Sequence, residues 1–172
     1  MENTLQTVAE LMEIAAITAP KGGGKNFVVT KILTHEECII LGQEMIKYGE
    51  ESGKINFDRD GINIEHSEAI LLIGLKNAES PGVNCGACGF TRCLKINIGD
   101  PDGEFLGPQC AMRVLDMGIA LGSAVKTAQM LNVDNRIMYR IGVVARRLKM
   151  IDADFVMGIP LSVSGKNIYF DR

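Results

Sequence analysis

Four cysteines crowd into one short segment of this 172-residue chain, and their type and spacing are suited to metal chemistry. They are Cys85, Cys88, Cys93 and Cys110, which gives the pattern C-x2-C-x4-C-x16-C. Thiolates are preferred ligands of zinc and of iron–sulfur clusters. Three sulfurs within nine residues, with a fourth that returns after a loop, can surround one metal centre. We therefore predict a metal-binding cysteine loop over residues 83–110.

The spacing favours an iron–sulfur cluster and leaves zinc open as the alternative metal. A structural zinc site usually pairs two C-x2-C knuckles, and only Cys85 and Cys88 have that form here. A cluster takes four thiolates and tolerates the wider spacing of Cys93 and Cys110. Cysteines without any metal are the third interpretation.

Residues next to the cysteines fit the same chemistry. Gly86 and Gly89 permit unusual backbone angles, so that amide N–H groups can turn toward sulfur and tune a cluster. A set of apolar side chains can form a shell that excludes water: Phe90, Leu94, Ile96 and Ile98. Cys38, in contrast, stands on the apolar stripe of a predicted helix, and we expect a buried inert thiol there.

Composition and charge exclude several classes of protein. Hydrophobic residues make up 47% of the chain, which excludes intrinsic disorder, and the length fits a single domain over residues 1–172. The formal net charge of −3 attracts neither nucleic acid nor a membrane surface. No basic segment precedes an apolar run at the N-terminus, and the uncharged stretch 155–165 is too short to cross a bilayer. We therefore expect a cytoplasmic protein with reduced thiols, no nucleic-acid partner and no membrane partner.

The rest of the pattern predicts the elements that must position the cysteine loop. Strands are predicted over residues 27–33, 69–75 and 153–159. Helices are predicted from Asn3 or Thr4 to Pro20, from a capping box at Thr34 and Glu37 to Gly53, over residues 111–131, and from Asn135 to about residue 149. Asp58–Gly61 is predicted to be a turn. The class is mixed α/β (α+β) with three to four strands.

The helix predicted over residues 111–131 stands at the centre of this arrangement. Its residues 117–125 are apolar nearly all round, as in a buried central helix. Gly118 and Gly122 leave one side of it flat, so that another backbone can approach closely.

A later helical segment is basic, with no acidic residue between Asp134 and Asp152. It is either a docking surface for an acidic partner or a phosphate, or simply a solvated helix face. Its cationic residues are Arg136, Arg140, Arg146, Arg147 and Lys149.

The cysteine segment resembles a known iron–sulfur module. Cys85-Gly-Ala-Cys88-Gly-Phe-Thr-Arg-Cys93, followed by Cys110, is similar to the small four-iron–four-sulfur (4Fe–4S) domain of corrinoid iron–sulfur proteins and electron-transport subunits. That resemblance implies one 4Fe–4S cluster with all four cysteines as ligands. The whole chain resembles an uncharacterised prokaryotic family described as containing a ferredoxin domain, and further motifs carry this likeness: residues 19–22, 118–124, 133–138 and 158–172.

The order of elements is also similar to that of the FMN-dependent nitroreductases. The likeness rests on Ala19-Pro20-Lys21-Gly-Gly-Gly-Lys25-Asn26, on the central helix from Asp116, and on Gly158-Ile-Pro160. It implies a nitroreductase-like fold and a homodimer that holds FMN at its interface, for which the flat Gly118/Gly122 face is suited. Nitroreductases begin with an arginine-rich segment for the flavin phosphate, which has no counterpart before Lys21 here. The residues that would bind the cofactor instead are Lys21, Lys25, Asn26 and Lys166.

Three hypotheses follow. The leading one is an iron–sulfur electron-transfer protein with one 4Fe–4S cluster, which exchanges electrons with an unidentified redox partner. The second is an FMN-dependent, nitroreductase-like oxidoreductase with an accessory cluster. The third is a zinc-stabilised, non-catalytic interaction module that presents the basic segment 136–149. Hydrolysis is disfavoured, because no nucleophile–base pair or carboxylate dyad is recognisable in the sequence.

Overall fold

A four-stranded antiparallel sheet forms the middle layer of the fold. The structure is a computed structural model, and it describes residues 2–93 and 103–170. The strands stand in the order β1-β2-β4-β3, and each neighbouring pair is antiparallel. Their bounds are β1 Val28–Leu33, β2 Ala69–Leu75, β3 Asp134–Asn135 and β4 Phe155–Ser162.

The helices in the described part of the chain cover both faces of this sheet. Helices α1 and α4 pack on one face, and α2, α3 and α5 pack on the other. Their bounds are α1 Glu2–Thr18, α2 His35–Ser52, α3 Phe57–Glu65, α4 Ala111–Met130 and α5 Tyr139–Arg147. The described residues also form short 3-10 helices at Gly22–Gly24, which we call the glycine turn, and at Ile168–Phe170.

Strand β2 divides the hydrophobic core into two halves. All seven of its residues are buried, because successive side chains of a strand point to opposite faces and both faces are covered. Leu71 and Ile73 belong to the core with α1 and α4, whereas Ile70 and Leu72 belong to the core with α2, α3 and α5. The continuous apolar run in the sequence therefore has a direct structural cause.

Several predictions from the sequence are confirmed. The class is mixed α and β, and the strand predicted over residues 69–75 has those bounds. Helix α2 begins with the predicted capping box, in which the Thr34 hydroxyl accepts from the Glu37 N–H and the Glu37 carboxylate accepts from the Thr34 N–H. Gly53 ends the helix in the left-handed conformation, with φ 67°. Such local signals depend only on near neighbours in sequence.

The predicted turn at Asp58–Gly61 is wrong, since these residues lie inside α3. Phe57, Gly61 and Ile64 are buried and face α2, so tertiary packing overrides the turn signal. Asp60 tolerates its burial because Arg59 and Arg140 both donate to its carboxylate.

Two boundaries near the C-terminus also differ from the prediction. The helix expected from Asn135 begins at Tyr139, because Asp134 and Asn135 pair with Ser162 and Leu161 of β4 as a short edge strand. That pairing also extends β4 to Ser162, beyond the predicted end at residue 159.

Helix α4 is buried on one side only, so the expectation of burial all round is wrong for a single chain. Met117, Ala120, Leu121 and Ala124 are buried against α1 and the sheet. The opposite side is open, and a Cβ atom at Gly118 would meet no atom within 4 Å. No helix in the described part of the chain is long and apolar enough to cross a membrane.

Candidate metal and cofactor sites

The first part of the cysteine loop is closed by a reciprocal pair of hydrogen bonds. The Asn84 N–H donates to the Cys93 Sγ at 3.3 Å, and the Cys93 N–H donates to the Asn84 Oδ1 at 3.0 Å. Cys85 is exposed between these two residues, and Cys88 is half-buried. The pairing therefore holds three of the four predicted ligands in one closed loop.

The backbone of this loop takes the unusual angles that were predicted. Gly86 and Gly89 have φ values of 72° and 88°, and Asn84 has φ 50°. Side chains other than asparagine rarely adopt such angles. At Asn84 the result is an amide N–H directed at a cysteine sulfur.

Hydrogen bonds at Cys93 favour the ionised form of its thiol. The Asn84 amide and the Ser80 hydroxyl, followed by the Gly82 amide, lower the pKa of Cys93 from its ordinary value. The thiolate is the form of cysteine that binds metals. Donors to sulfur also stabilise the negative charge of a cluster and shift its potential.

Cys110 reaches the site from the other end of the loop. It is the residue before α4, is 5% exposed, and accepts the N–H groups of Arg113 and Val114 at its carbonyl. A cavity of about 380 Å³ is lined by Cys93 and Ser80 on one side and by Pro108 and Gln109 on the other. The two segments that carry the cysteines therefore face one another.

Asp154 fastens to the sheet the chain on either side of Cys85, Cys88 and Cys93. Its carboxylate accepts from the Asn77 N–H at 2.7 Å, and its carbonyl accepts from the Leu106 N–H at 2.8 Å. Its own N–H donates to the Leu75 carbonyl at the end of β2. Asp154 therefore holds both ends of the segment from Asn77 to Leu106.

The four thiols are not gathered at one point. Within residues 2–93 and 103–170, no three His, Cys, Asp or Glu side chains lie close enough to hold a metal ion. Phe90 of the expected apolar shell is half-buried, and Leu94, Ile96 and Ile98 lie outside the described residues. The donor set of four thiols, together with the amide donor at Cys93, fits an iron–sulfur cluster in its chemistry.

A buried ion pair that the sequence interpretation missed lies one turn beyond Cys110. Arg113 and Asp116 are 2% and 6% exposed, and the Arg113 Nη1 donates to the Asp116 Oδ2 at 2.9 Å. The guanidinium also donates to the carbonyls of Gly22 and Glu79, and the Asp116 Oδ1 accepts from the Gly22 N–H. The pair therefore fastens the glycine turn and the start of the cysteine loop to α4. Opposite charges three residues apart on an apolar helix were the signal available in the sequence.

An apolar cleft of about 450 Å³ opens above this ion pair. The glycine turn forms one wall, and Pro81 and Val83 of the cysteine loop form another. Leu115 and Ile119 of α4 complete it. The cleft therefore lies between the cysteine loop and the glycine turn, which belongs to the segment that resembles the flavin enzymes.

Three of the four residues expected to bind FMN lie in the segment beside this cleft. The Lys21 Nζ donates to the carbonyls of Ala16, Ile17 and Ala19, which caps the end of α1. Burial lowers the pKa of Lys21, and the nearby Asp116 carboxylate opposes that effect. Lys25 lies 4.0 Å from Glu79 in an exposed ion pair, and the Asn26 Oδ1 accepts from the Val28 N–H.

Lys166 lies at the other end of α4. Its neighbour Asn167 lines a cavity of about 700 Å³ together with Lys126 and Gln129 of that helix. Asp116 and Gln129 are about 20 Å apart along the helix axis. One chain alone therefore does not bring Lys166 to the other three residues.

The remaining candidates have structural positions. Cys38 is fully buried, as predicted, and burial raises the pKa of its thiol. In the basic segment, expected to be either a docking surface or a solvated helix face, three of the five cations are bound within the fold. Arg136 donates to the Tyr169 carbonyl, Arg140 to Asp60, and Arg146 to the carbonyls of Gly103 and Glu104.

The fold is similar to solved structures of nitroreductases. A putative nitroreductase from Desulfovibrio desulfuricans in complex with FMN matches with a TM-score of 0.58 at 13% identity, over 94% of this chain and 75% of that one. The FMN-dependent nitroreductase NfnB from Mycobacterium smegmatis in complex with NADPH matches with a TM-score of 0.63 at 8% identity, over 97% and 82% of the two chains. The predicted nitroreductase-like fold is confirmed.

Sequence comparisons give the family. Residues 106–172, which include Cys110, match the model of a family described as "Uncharacterized protein containing a ferredoxin domain (DUF2148)". An uncharacterized protein from Archaeoglobus fulgidus is 48% identical over 169 residues, which are 98% of this chain and 91% of that protein. The chain belongs to the family of uncharacterized proteins that contain a ferredoxin domain.

Proposed function

We propose that this protein is an iron–sulfur redox protein that holds one 4Fe–4S cluster through Cys85, Cys88, Cys93 and Cys110. The observation that carries the proposal is the reciprocal pairing of Asn84 with Cys93, which directs an amide N–H at a ligand sulfur. The description of the family as containing a ferredoxin domain supports redox chemistry. That description gives no support to the zinc alternative.

A bound cluster would accept and release one electron at a time. The chain's own residues prepare the site. Hydrogen bonds from the Asn84 amide, the Ser80 hydroxyl and the Gly82 amide lower the pKa of Cys93, which favours the thiolate that binds metals. The burial of Cys110 keeps water from that end of the site, whereas the exposure of Cys85 leaves the opposite end open to solvent. The proposal includes a reducing cytoplasm, because all four thiols must stay reduced to act as ligands.

Metal analysis of protein purified without oxygen tests this proposal. We expect a brown protein with about four irons per chain, and Cys88→Ser should lose most of that iron. Cys38→Ala is the matched control, since Cys38 is buried in the core far along the chain from the loop, and it should keep its iron. Colourless protein with one zinc per chain, or iron retained in Cys88→Ser, would contradict the proposal.

A flavin-dependent oxidoreductase is the second candidate, and the apolar cleft is the observation that favours it. The cleft lies between the glycine turn and the cysteine loop. One structural neighbour is described in complex with FMN and another as FMN-dependent. Lys21, Lys25, Asn26 and Lys166 remain the proposed contacts. Heat denaturation of the purified protein should release flavin fluorescence if this candidate is correct. Purified protein that releases none, and that does not bind added FMN, would exclude it.

The proposal extends to a homodimer formed through α1 and α4. The outer side of these two helices exposes large apolar side chains, and Ile14 and Leu115 are 58% and 59% exposed. Gly118 and Gly122 stand on the same side with open space around them, which lets a second copy of α4 approach closely. Ile119→Glu should convert a dimer to a monomer in sedimentation velocity. Ile55→Glu, at an exposed position outside this face, is the control and should leave the dimer intact.

A further inference from the structure

A basic groove opens beside the segment that leads to Cys110. Its volume is about 560 Å³, and it lies where the end of α5 meets the returning part of the cysteine loop. Leu106 and Ile151 give it an apolar lining, and Arg146, Arg147 and Lys149 give it cationic groups. Leu106 precedes Cys110 by four residues, so the two are no more than about 14 Å apart.

In the part of the chain that the structure describes, positive charge in this groove is only partly compensated. Asp152 is the one carboxylate in that described lining, and it is already paired with Lys76. Among the described residues, no carboxylate lies within ion-pair distance of Arg147 or Lys149. The Arg147 guanidinium lies 4.9 Å from the centre of the Tyr48 ring, which orients it without neutralising it. Arg146 is held in place by the carbonyls of Gly103 and Glu104.

Lys149 holds an unfavourable backbone conformation at the rim of the groove. It closes α5 as the left-handed residue of a Schellman motif, with φ 54°. Its N–H donates to the Arg146 carbonyl, and the Met150 N–H donates to the Ala145 carbonyl. Glycine or asparagine is the usual residue at this position. Of the five described non-glycine residues with positive φ, the other four are asparagines, so Lys149 is the exception that requires a reason.

We propose that this groove is the docking surface for an acidic redox protein, and that Lys149 is retained at its strained position for its charge. The inference rests on the proposed function, since the partner exchanges electrons with the metal centre of this chain. The partner loses one electron and the centre gains it, and no bond forms or breaks. Arg147 and Lys149, which have no ion-pair partner in the described ranges, match a carboxylate-rich surface, and the apolar lining gives that surface area to bury.

Binding of a purified, strongly acidic bacterial-type ferredoxin, labelled for fluorescence anisotropy, tests the proposal. Lys149→Gly should weaken binding about threefold, and Lys149→Gly with Arg147→Gln about tenfold, at low salt. Lys149→Gly should also raise the Tm by about 2–4 °C, because glycine relieves the backbone strain. Lys149→Gln removes the charge and keeps the strain, so it should lose affinity without any gain in Tm.

Lys31→Gln is the control, because it removes one positive charge, paired with Glu37, from β1 and outside the lining of the groove. It should leave the affinity unchanged. An equal loss of affinity in this control, or unchanged affinity in Lys149→Gly, would overturn the proposal. Displacement of the ferredoxin by millimolar inorganic phosphate or ADP would identify a small phosphate site instead, and would also overturn it. Iron content is measured on every variant, so that failure of the metal site is distinguished from failure of docking.

Discussion

The buried Arg113–Asp116 pair gives the sharpest prediction for the region that supports the cysteine loop. Asp116→Ala removes the carboxylate that accepts from Arg113 and from the Gly22 N–H. The guanidinium stays buried without its counter-charge, a situation that costs about 3–5 kcal/mol. The unpaired Gly22 N–H adds about 1 kcal/mol. Because domains are stable by only about 5–15 kcal/mol, the free energy of unfolding should fall by roughly a third or more.

Arg113→Met tests the same pair from the other side. The cation is lost, and Asp116 keeps only the Gly22 N–H as a partner, so we expect a similar loss of about 3–5 kcal/mol. The double variant Arg113→Met with Asp116→Leu replaces two charges by apolar groups of similar size. It should recover much of the stability, because no buried charge remains.

Urea unfolding followed by circular dichroism measures these three free energies. The double variant also allows a second, structural readout, since it loses the hydrogen bonds from Arg113 to the carbonyls of Gly22 and Glu79. Limited proteolysis should therefore cut the cysteine loop faster in the double variant than in the wild type, although both are folded. Single variants that each cost less than about 1 kcal/mol, or losses that simply add in the double variant, would refute the reasoning.

Three further predictions concern packing, pH and the metal loop. Gly142→Ala should destabilise the fold by about 3 kcal/mol or more, because the new Cβ would lie 1.8 Å from the Val156 carbonyl oxygen. Gly118→Ala is the control, since its Cβ would meet nothing within 4 Å, and it should not destabilise the fold. Thermal unfolding of the two variants compares them. Burial raises the pKa of Tyr169 to about 12, above the value of about 10 for the unfolded chain, so the folded state retains a proton that the unfolded state releases. The contribution of Tyr169 to stability should therefore be complete below pH 10 and fall by about 2–3 kcal/mol as the pH rises to 12, and urea unfolding of Tyr169→Phe should show a shallower loss of stability over this range than the wild type. Asn84→Ala should release iron to a chelator faster than the wild type, because the Cys93 N–H loses its acceptor. Asn132 also has a positive φ, and the control variant Asn132→Ala should release iron at the wild-type rate.

The parts of the fold that sequence predicts well are those decided by residues close together in the chain. Thr34 and Glu37 lie in one helical turn, and the continuous apolar run of β2 by itself indicates a strand that is covered on both faces. Helix α3 was missed for the opposite reason. The burial of Asp60 depends on Arg140, which is 80 residues away in sequence.

The candidate site also has some features that local sequence predicts and others that depend on distant residues. Cysteine spacing identifies the metal candidates, and the glycines between them predict the unusual backbone angles that the loop adopts. The contact of Arg113 with Gly22 joins residues 91 positions apart, and no local pattern indicates it. Lys149 was recognised as basic, but its strained backbone became visible only when the end of α5 was known.

Asp154 has a consequence for how a metal centre could be gained and lost. A chain that brings together two points about 30 residues apart gives up roughly 3 kcal/mol of loop-closure entropy. Here the sheet has already closed the segment from Asn77 to Leu106 through Asp154. Metal binding then need not supply this closure, unlike in small domains in which the metal drives all of folding. We expect the metal-free protein to keep its sheet and helices, so that iron can enter and leave while the rest of the molecule stays folded.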